Sequence, residues 1–304
     1  MDKDARPIFV LCHGRSGSTL LRYILDTHKK LVCPPELHLA SLMARHMEVM
    51  RVLANTCNNP VERRGWKEDT TWEEQGIRHT RQVIVDLMNK VCAESGKPFW
   101  CDKSVSTVNH VDTVVKIFPK ARFLCIYRHC LDFVNSALQT IPAGLGYGYE
   151  EYVKGRDATN VVDSLVAFWC EKTQSILNFE RNYRGLCLGL TYETLVHSPH
   201  LTIRRIFEFL ELDCEEEFEK EIFVARHAAG PGDYKIADTR QIESASVGTG
   251  RHVALHRILP NTLTQMNFLL SALGYENVGA DWNMTPTAFD SVGILNPATR
   301  FGHK

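Results

Sequence analysis

Four short apolar runs stand out along the chain: PIFVLC (7–12), PFWC (98–101), RFLCIY (122–127) and LCLGLTY (186–192). Each is rich in branched and aromatic residues and gives way to polar ones, the pattern of strands covered on both faces of a parallel sheet. Helical spacing fills the intervals. Leu20, Leu21, Ile24 and Leu25 share one face; Val108, Val111, Val115 and Phe118 recur at i, i+3, i+7 and i+10; Leu165, Phe168, Trp169, Ile176 and Phe179 make a third stripe. Ser198 before Pro199 marks a further helix start. Strands alternating with helices predict an α/β protein with a central, doubly wound parallel sheet flanked by helices. The longest irregular stretches fall near 55–76 and 140–160. Loops of that length serve as lids or binding loops more often than as linkers, so residues 1–304 read as one domain.

Composition narrows the function without naming it. The 304 residues are 44% hydrophobic, enough for a sizeable core. Lys and Arg number 35 against 36 Asp and Glu. So balanced a charge gives no global reason to expect nucleic acid or an anionic membrane as partner, and any anion site must be local. Ten cysteines include no C-x-x-C pair, and Cys12, Cys125 and Cys187 lie inside strand runs. They read as buried free thiols of a reducing compartment. No apolar stretch approaches the ~20 residues of a membrane span, and the expectation is a soluble cytoplasmic protein.

The first strand runs into HGRSGSTLL, a Gly- and hydroxyl-rich turn that opens a helix. Ligands of such sheets bind at the carboxyl ends of strands, where helix N-termini present free N–H groups. Gly14 and Gly17 permit a tight turn, Ser18 and Thr19 add hydroxyls, and Arg15 adds a permanent cation. The alternative is an ordinary strand–turn–helix junction. A Walker-type loop is excluded by the missing Lys before Ser or Thr, and a C-x5-R phosphatase loop by Ser18 where Arg is needed. A second junction repeats the layout. Arg128 stands at the end of the third run and Ser136 eight residues on, so a shared ligand requires the chain to turn between them; alternatively, Arg128 caps a helix or pairs with Asp132.

Together the two segments resemble the sulfotransferases that use 3′-phosphoadenosine 5′-phosphosulfate (PAPS). RSGST, Arg15 to Thr19, is similar to that family's 5′-phosphosulfate loop, which implies binding by Arg15, Ser16, Gly17, Ser18, Thr19 and Leu20. Arg128 and Ser136 match the pair that grips the 3′-phosphate. LTYETLVHSPHLTIRRIFEFLEL (190–212) resembles the tyrosine-bearing strand and its helix, placing Tyr192 near the adenine. SVGTGRH (246–252) looks like the late loop over the 3′-phosphate, implicating Ser246, Gly248 and Arg251. The resemblance spans about residues 7–275 and implies the P-loop-like sulfotransferase architecture, with PAPS as co-substrate and no metal required. The His and Cys residues show no ligand spacing either.

Sulfuryl transfer, like phosphoryl transfer, depends on positioning and on neutralising the leaving group. Lys103, in FWCDKSVST, is a solvated loop lysine on its own; the likeness to tyrosylprotein-type enzymes implies contact with the bridging oxygen. Cytosolic small-molecule sulfotransferases carry a histidine two residues after that lysine, where this chain has Val105. The base must come from elsewhere, and CPPELHLAS (33–41) offers Glu36, matching the tyrosylprotein-type catalytic Glu, with His38 assisting or taking the role. If the stretch is extended, Glu36 and His38 face the same side; otherwise one of them pairs with a nearby arginine such as Arg45.

PPELHL and SVGTGR also resemble bacterial sulfotransferase domains that act on β-hydroxyacyl chains of polyketide assembly lines. The expected acceptor is a small-molecule or carrier-tethered hydroxyl, on a bacterial secondary metabolite or a β-hydroxyacyl chain. Met43, Met47, Met50, Tyr147 and Tyr149 face it if the loops around 40–75 and 140–160 shape its pocket; core packing accounts for the methionines equally well. The rival readings are a nucleotide kinase or phosphotransferase, and a PAPS-binding protein without catalysis.

Overall fold

The computed structural model describes residues 6–57, 70–141, 148–230, 236 and 238–279. Five parallel strands form the centre: β1 (Ile8–Leu11), β2 (Leu31–Val32), β3 (Phe99–Lys103), β4 (Arg122–Tyr127) and β5 (Cys187–Thr191), in the order β2-β3-β1-β4-β5. The four apolar runs are β1, β3, β4 and β5. Each alternates its side chains between two cores, as a strand covered on both faces must. Ile8, Val10 and Cys12 point into one, Phe9 and Leu11 into the other. Register Ile8↔Arg122 and Ile8↔Cys101 brings the carboxyl ends of β1, β3 and β4 to one edge.

Helix α1 (Ser18–Thr27) covers one face through Leu21, Ile24 and Leu25, with α8 (Tyr192–His197) and α9 (Pro199–Phe209) beside it. The opposite core takes side chains from α2 (Leu39–Cys57), α3 (Thr70–Ser95), α4 (Val111–Ile117), α5 (Cys130–Thr140), α7 (Val161–Asn182) and α10 (Pro260–Ala272). The short α6 (Tyr149–Arg156) packs there through Tyr149 and Val153. The long stripe from Leu165 to Phe179 is the buried face of α7, whose N-cap Asn160 accepts from the Asp163 amide. Ser198 does stand at the N-cap of α9, with Pro199 first in the helix, but its hydroxyl makes no capping bond.

Two expectations are corrected. Residues 39–57 and 70–95 are long helices rather than pocket loops, and Tyr149–Arg156 is helical within 140–160; residues 58–69 and 142–147 lie outside the described residues. Met43, Met47 and Met50 follow i, i+4, i+7, a helical face, and Met43 is sealed in the core of α2 against the sheet. Tyr149 is likewise buried, its hydroxyl hydrogen-bonded to Thr140. Tyr147 lies outside the described residues. Nine described cysteines are free thiols, eight of them buried. No helix among the described residues is long and apolar enough to cross a membrane.

Candidate active site

A cavity of about 370 Å³ opens at the carboxyl edge of the sheet, where β1, β4 and β5 each hand over to a helix. Its floor is the turn between β1 and α1. Arg15 adopts a left-handed backbone (φ 65), rare for a residue with a Cβ, and Gly17 another (φ 88). Gly17 is also required sterically, since a Cβ there would lie 2.3 Å from Cδ2 of Tyr192. The turn sends Arg15 Nε to Ser136 Oγ at 2.9 Å, while its carbonyl accepts from Arg128 at 2.9 Å. Arg15, Gly17, Ser18, Thr19, Leu20, Arg128, Ser136, Tyr192 and Ser246 thus converge on one cavity from four chain segments.

Arg128 lines this cavity and is 5% exposed. Its carbonyl is pinned by Trp169 Nε1 (3.0 Å), and its guanidinium lies 4.6 Å from the Tyr192 ring centroid, a cation–π arrangement. One guanidinium nitrogen donates to the Arg15 carbonyl and the other to the Ser246 carbonyl (2.8 Å). Its Nε is sealed from solvent and has no partner among the described residues. A buried guanidinium facing carbonyls, with donor capacity left over, suits an incoming oxyanion. Asp132 feels the Arg128 charge, which counters the burial that raises its carboxyl's pKa, but makes its hydrogen bonds elsewhere. Fully buried in the first turn of α5, it accepts from Gly248 N (2.9 Å), Gly250 N (2.6 Å) and Thr249 Oγ1 (3.5 Å).

At the other end of the cavity Glu36 reaches the wall. Its Oε1 accepts from Lys103 Nζ at 2.7 Å and its Oε2 from Val105 N at 3.4 Å; the two side chains are 5% and 1% exposed. Lys103 therefore lies just behind Glu36, outside the cavity lining, and Glu36 pairs with Lys103 rather than with an arginine. His38 is the clearest departure from the sequence reading. Residues 36–38 do not run on as an extended strand, because His38 takes φ 54. Its amide is drawn to Ser104 Oγ (2.9 Å), which donates in turn to Asp102 (2.7 Å). The imidazole turns away to Ser106 (2.8 Å) and is exposed, off the cavity wall.

Three other expected ligand residues are also off the wall. The Ser16 hydroxyl donates to the His13 carbonyl within the turn, and the Gly248 amide is taken by Asp132. Arg251 is exposed and bonded to His252. Conversely, the structure adds Asn135 and Gln139 from α5, and a wall that includes Phe223, Ile236, Thr239, Gln241 and Ile242. Asn135 and Gln139 share the α5 face of Ser136, an adjacency visible from helical spacing. The 223–245 stretch has no such periodic signal. Among the described residues, no group of three His, Cys, Asp or Glu side chains is placed to hold a metal ion.

The match to known proteins agrees with this geometry. Residues 7–216 match the model of a sulfotransferase family, and the chain belongs to that family. A protein described as a putative protein-tyrosine sulfotransferase of Caenorhabditis briggsae is 25% identical over 69% of this chain and 67% of its own length. Protein-tyrosine sulfotransferase A of Caenorhabditis elegans is 26% identical over 69% of this chain, which spans only 51% of that relative. Among solved structures, the sulfotransferase domain from the curacin biosynthetic pathway superposes with a TM-score of 0.65 at 21% identity, over 90% of this chain and 99% of that one. The sulfotransferase domain of the Synechococcus PCC 7002 olefin synthase gives 0.59 at 22% identity, over 90% and 96%. The fold is that of these sulfotransferases.

Proposed function

We propose that this protein transfers the sulfuryl group of PAPS to an acceptor hydroxyl. The observation that carries the reading is the placing, in one cavity, of an anion-binding turn, a buried arginine with unspent donor capacity, and Glu36, with Lys103 paired directly behind it. Ser18, Thr19 and the amides opening α1 are suited to the 5′-phosphosulfate, with Arg15 beside them. Arg128 and Ser136 are suited to the 3′-phosphate.

In this scheme the bond between sulfur and the 5′-phosphate bridging oxygen breaks, and its electron pair stays on the departing 3′-phosphoadenosine 5′-phosphate (PAP). A new bond joins sulfur to the acceptor oxygen, whose proton passes to Glu36. Lys103, one contact behind Glu36 and off the cavity wall, offsets the charge that develops on the leaving oxygen through space rather than by direct contact. Glu36 is the base that the geometry favours, because it reaches the cavity and His38 does not.

For the acceptor we favour a hydroxyl on an acyl chain or related bacterial metabolite. Two solved domains with this fold come from a biosynthetic pathway and an olefin synthase, and apolar Leu20, Val105, Phe223 and Ile242 line the cavity. A tyrosyl acceptor is the second reading, supported by the named relatives. Calorimetric titration with PAP, and with ATP plus magnesium in parallel, tests the donor. Magnesium-independent PAP binding is expected; preference for ATP would replace the reading with a nucleotide kinase. Binding without turnover on either a β-hydroxyacyl thioester or a tyrosyl peptide would leave a PAPS-binding protein.

A further inference from the structure

We infer that Asp132 is a positioning residue that fixes the grip on the donor's 3′-phosphate by clamping the Ser246–Gly250 loop over Arg128. The inference rests on the PAPS reading and goes beyond it, since Asp132 neither lines the cavity nor touches the proposed ligand.

Three donors from one loop converge on this single carboxylate, across more than a hundred residues of chain: the amides of Gly248 and Gly250 and the hydroxyl of Thr249. A carboxylate accepts at both oxygens, and these amide bonds favour its charged form against the burial that raises its pKa; an Asn in its place would turn an NH₂ group toward one of the amides. The loop is also held sterically. A Cβ on Gly250 would lie 2.4 Å from the Leu131 carbonyl carbon and 2.6 Å from the Asp132 nitrogen, so the loop rests directly on the backbone opening α5. Two residues before the clamped segment, the Ser246 carbonyl takes one of the two Arg128 N–H bonds (2.8 Å) and Ser246 meets the Tyr192 hydroxyl. The other Arg128 bond goes to the Arg15 carbonyl (2.9 Å). Arg128 is thus aimed by two carbonyls, and the one from the late loop stays in place only while that loop is docked on Asp132. Being buried on a helix already fixed in the core, Asp132 makes a rigid anchor for the loop.

The test compares PAP with adenosine 5′-phosphosulfate, which lacks the 3′-phosphate, on wild type, Asp132→Asn and Gly250→Ala. Gly250→Ala lifts the loop by crowding instead of by loss of acceptors, and it stands in if Asp132→Asn does not fold. Each variant is expected to lose roughly tenfold to a hundredfold in PAP affinity, the range of hydrogen bonds to a charged group. Affinity for adenosine 5′-phosphosulfate should change little, and hydrogen exchange at residues 246–251 should rise. A folded variant that keeps the wild-type preference for PAP overturns the role of Asp132. So does an equal loss for both nucleotides, which would mean that the clamp supports the pocket in general. Wild type that binds the two nucleotides equally would overturn the donor assignment itself.

Discussion

The Lys103 ammonium and the Glu36 carboxylate stand 2.7 Å apart, 67 residues apart in sequence, with their side chains 1% and 5% exposed. Lys103 ends β3, and Glu36 lies in the Pro34–Pro35 segment that follows β2, so parallel pairing of these neighbouring strands brings the two together. Removing one member of a sealed pair strands the other, a cost of about 3–5 kcal/mol.

Glu36→Gln is therefore expected to slow turnover by roughly 10²–10⁴-fold, the usual weight of a general base. It should also lower the melting temperature while PAP affinity holds. Lys103→Ala should slow turnover comparably. Steady-state kinetics beside thermal unfolding separate the two effects, and a wild-type rate in Glu36→Gln would eliminate that residue as the base.

Arg128→Ala removes the guanidinium that bridges the Arg15 and Ser246 carbonyls. PAP binding should weaken by about 1.5–3 kcal/mol, the scale of a hydrogen bond to a charged group. The loss for adenosine 5′-phosphosulfate, measured by the same titration, should be clearly smaller. Equal losses would contradict assignment of Arg128 to the 3′-phosphate.

Gly17→Ala meets two obstacles, a left-handed backbone and the Tyr192 ring at 2.3 Å. The backbone alone costs about 1–2 kcal/mol, and relief of the clash must displace Tyr192 from under Arg128. Lower stability in urea together with weaker PAP binding is the expected pair of results. Retained affinity would show that the Tyr192 position is immaterial to the nucleotide.

Glu193 follows Tyr192 and is 1% exposed, accepting from the His129 amide (3.0 Å) and the Tyr275 hydroxyl (2.5 Å). Burial pushes its carboxyl up to about 7 from 4.5, against the lowering effect of those bonds. Between those values the folded protein holds a proton that the unfolded chain has lost. The contribution of this group to stability is thus fully present below about pH 4.5 and fades as pH rises through 7. Urea midpoints across this window should fall with rising pH from this cause, and Glu193→Gln should flatten the trend. An unchanged slope in that variant would show that Glu193 does not titrate there.

The strands that build the sheet were readable where burial on both faces left an unbroken apolar run, as in RFLCIY. The two-residue β2 was not, because Leu31 and Val32 between Lys30 and Cys33 form too short a run to carry a pattern; pairing with β3 makes it a strand. The helix over 39–57 was signalled by Met43, Met47 and Met50 at helical spacing, but the same methionines also suited an apolar pocket. Local chemistry likewise marked Arg15 to Thr19 and the Arg128–Ser136 pair, since a turn into a helix N-terminus is a property of neighbouring residues.

What the sequence determined by itself was whatever depends on near neighbours: strand and helix periods, the glycine-dependent turn at Gly17, and the motifs that place this chain among sulfotransferases. Tertiary structure alone decided which side chains meet. It turned His38 out to Ser106 and buried Lys103 behind Glu36. It also gave the hydrogen bonds of Asp132 to the 248–250 loop, and brought Phe223, Ile236 and the Thr239–Ala245 segment to the cavity wall. Those outcomes depend on where separated segments pack and which buried polar groups must be satisfied, and one strained residue such as His38 is enough to reverse the direction a local pattern suggests.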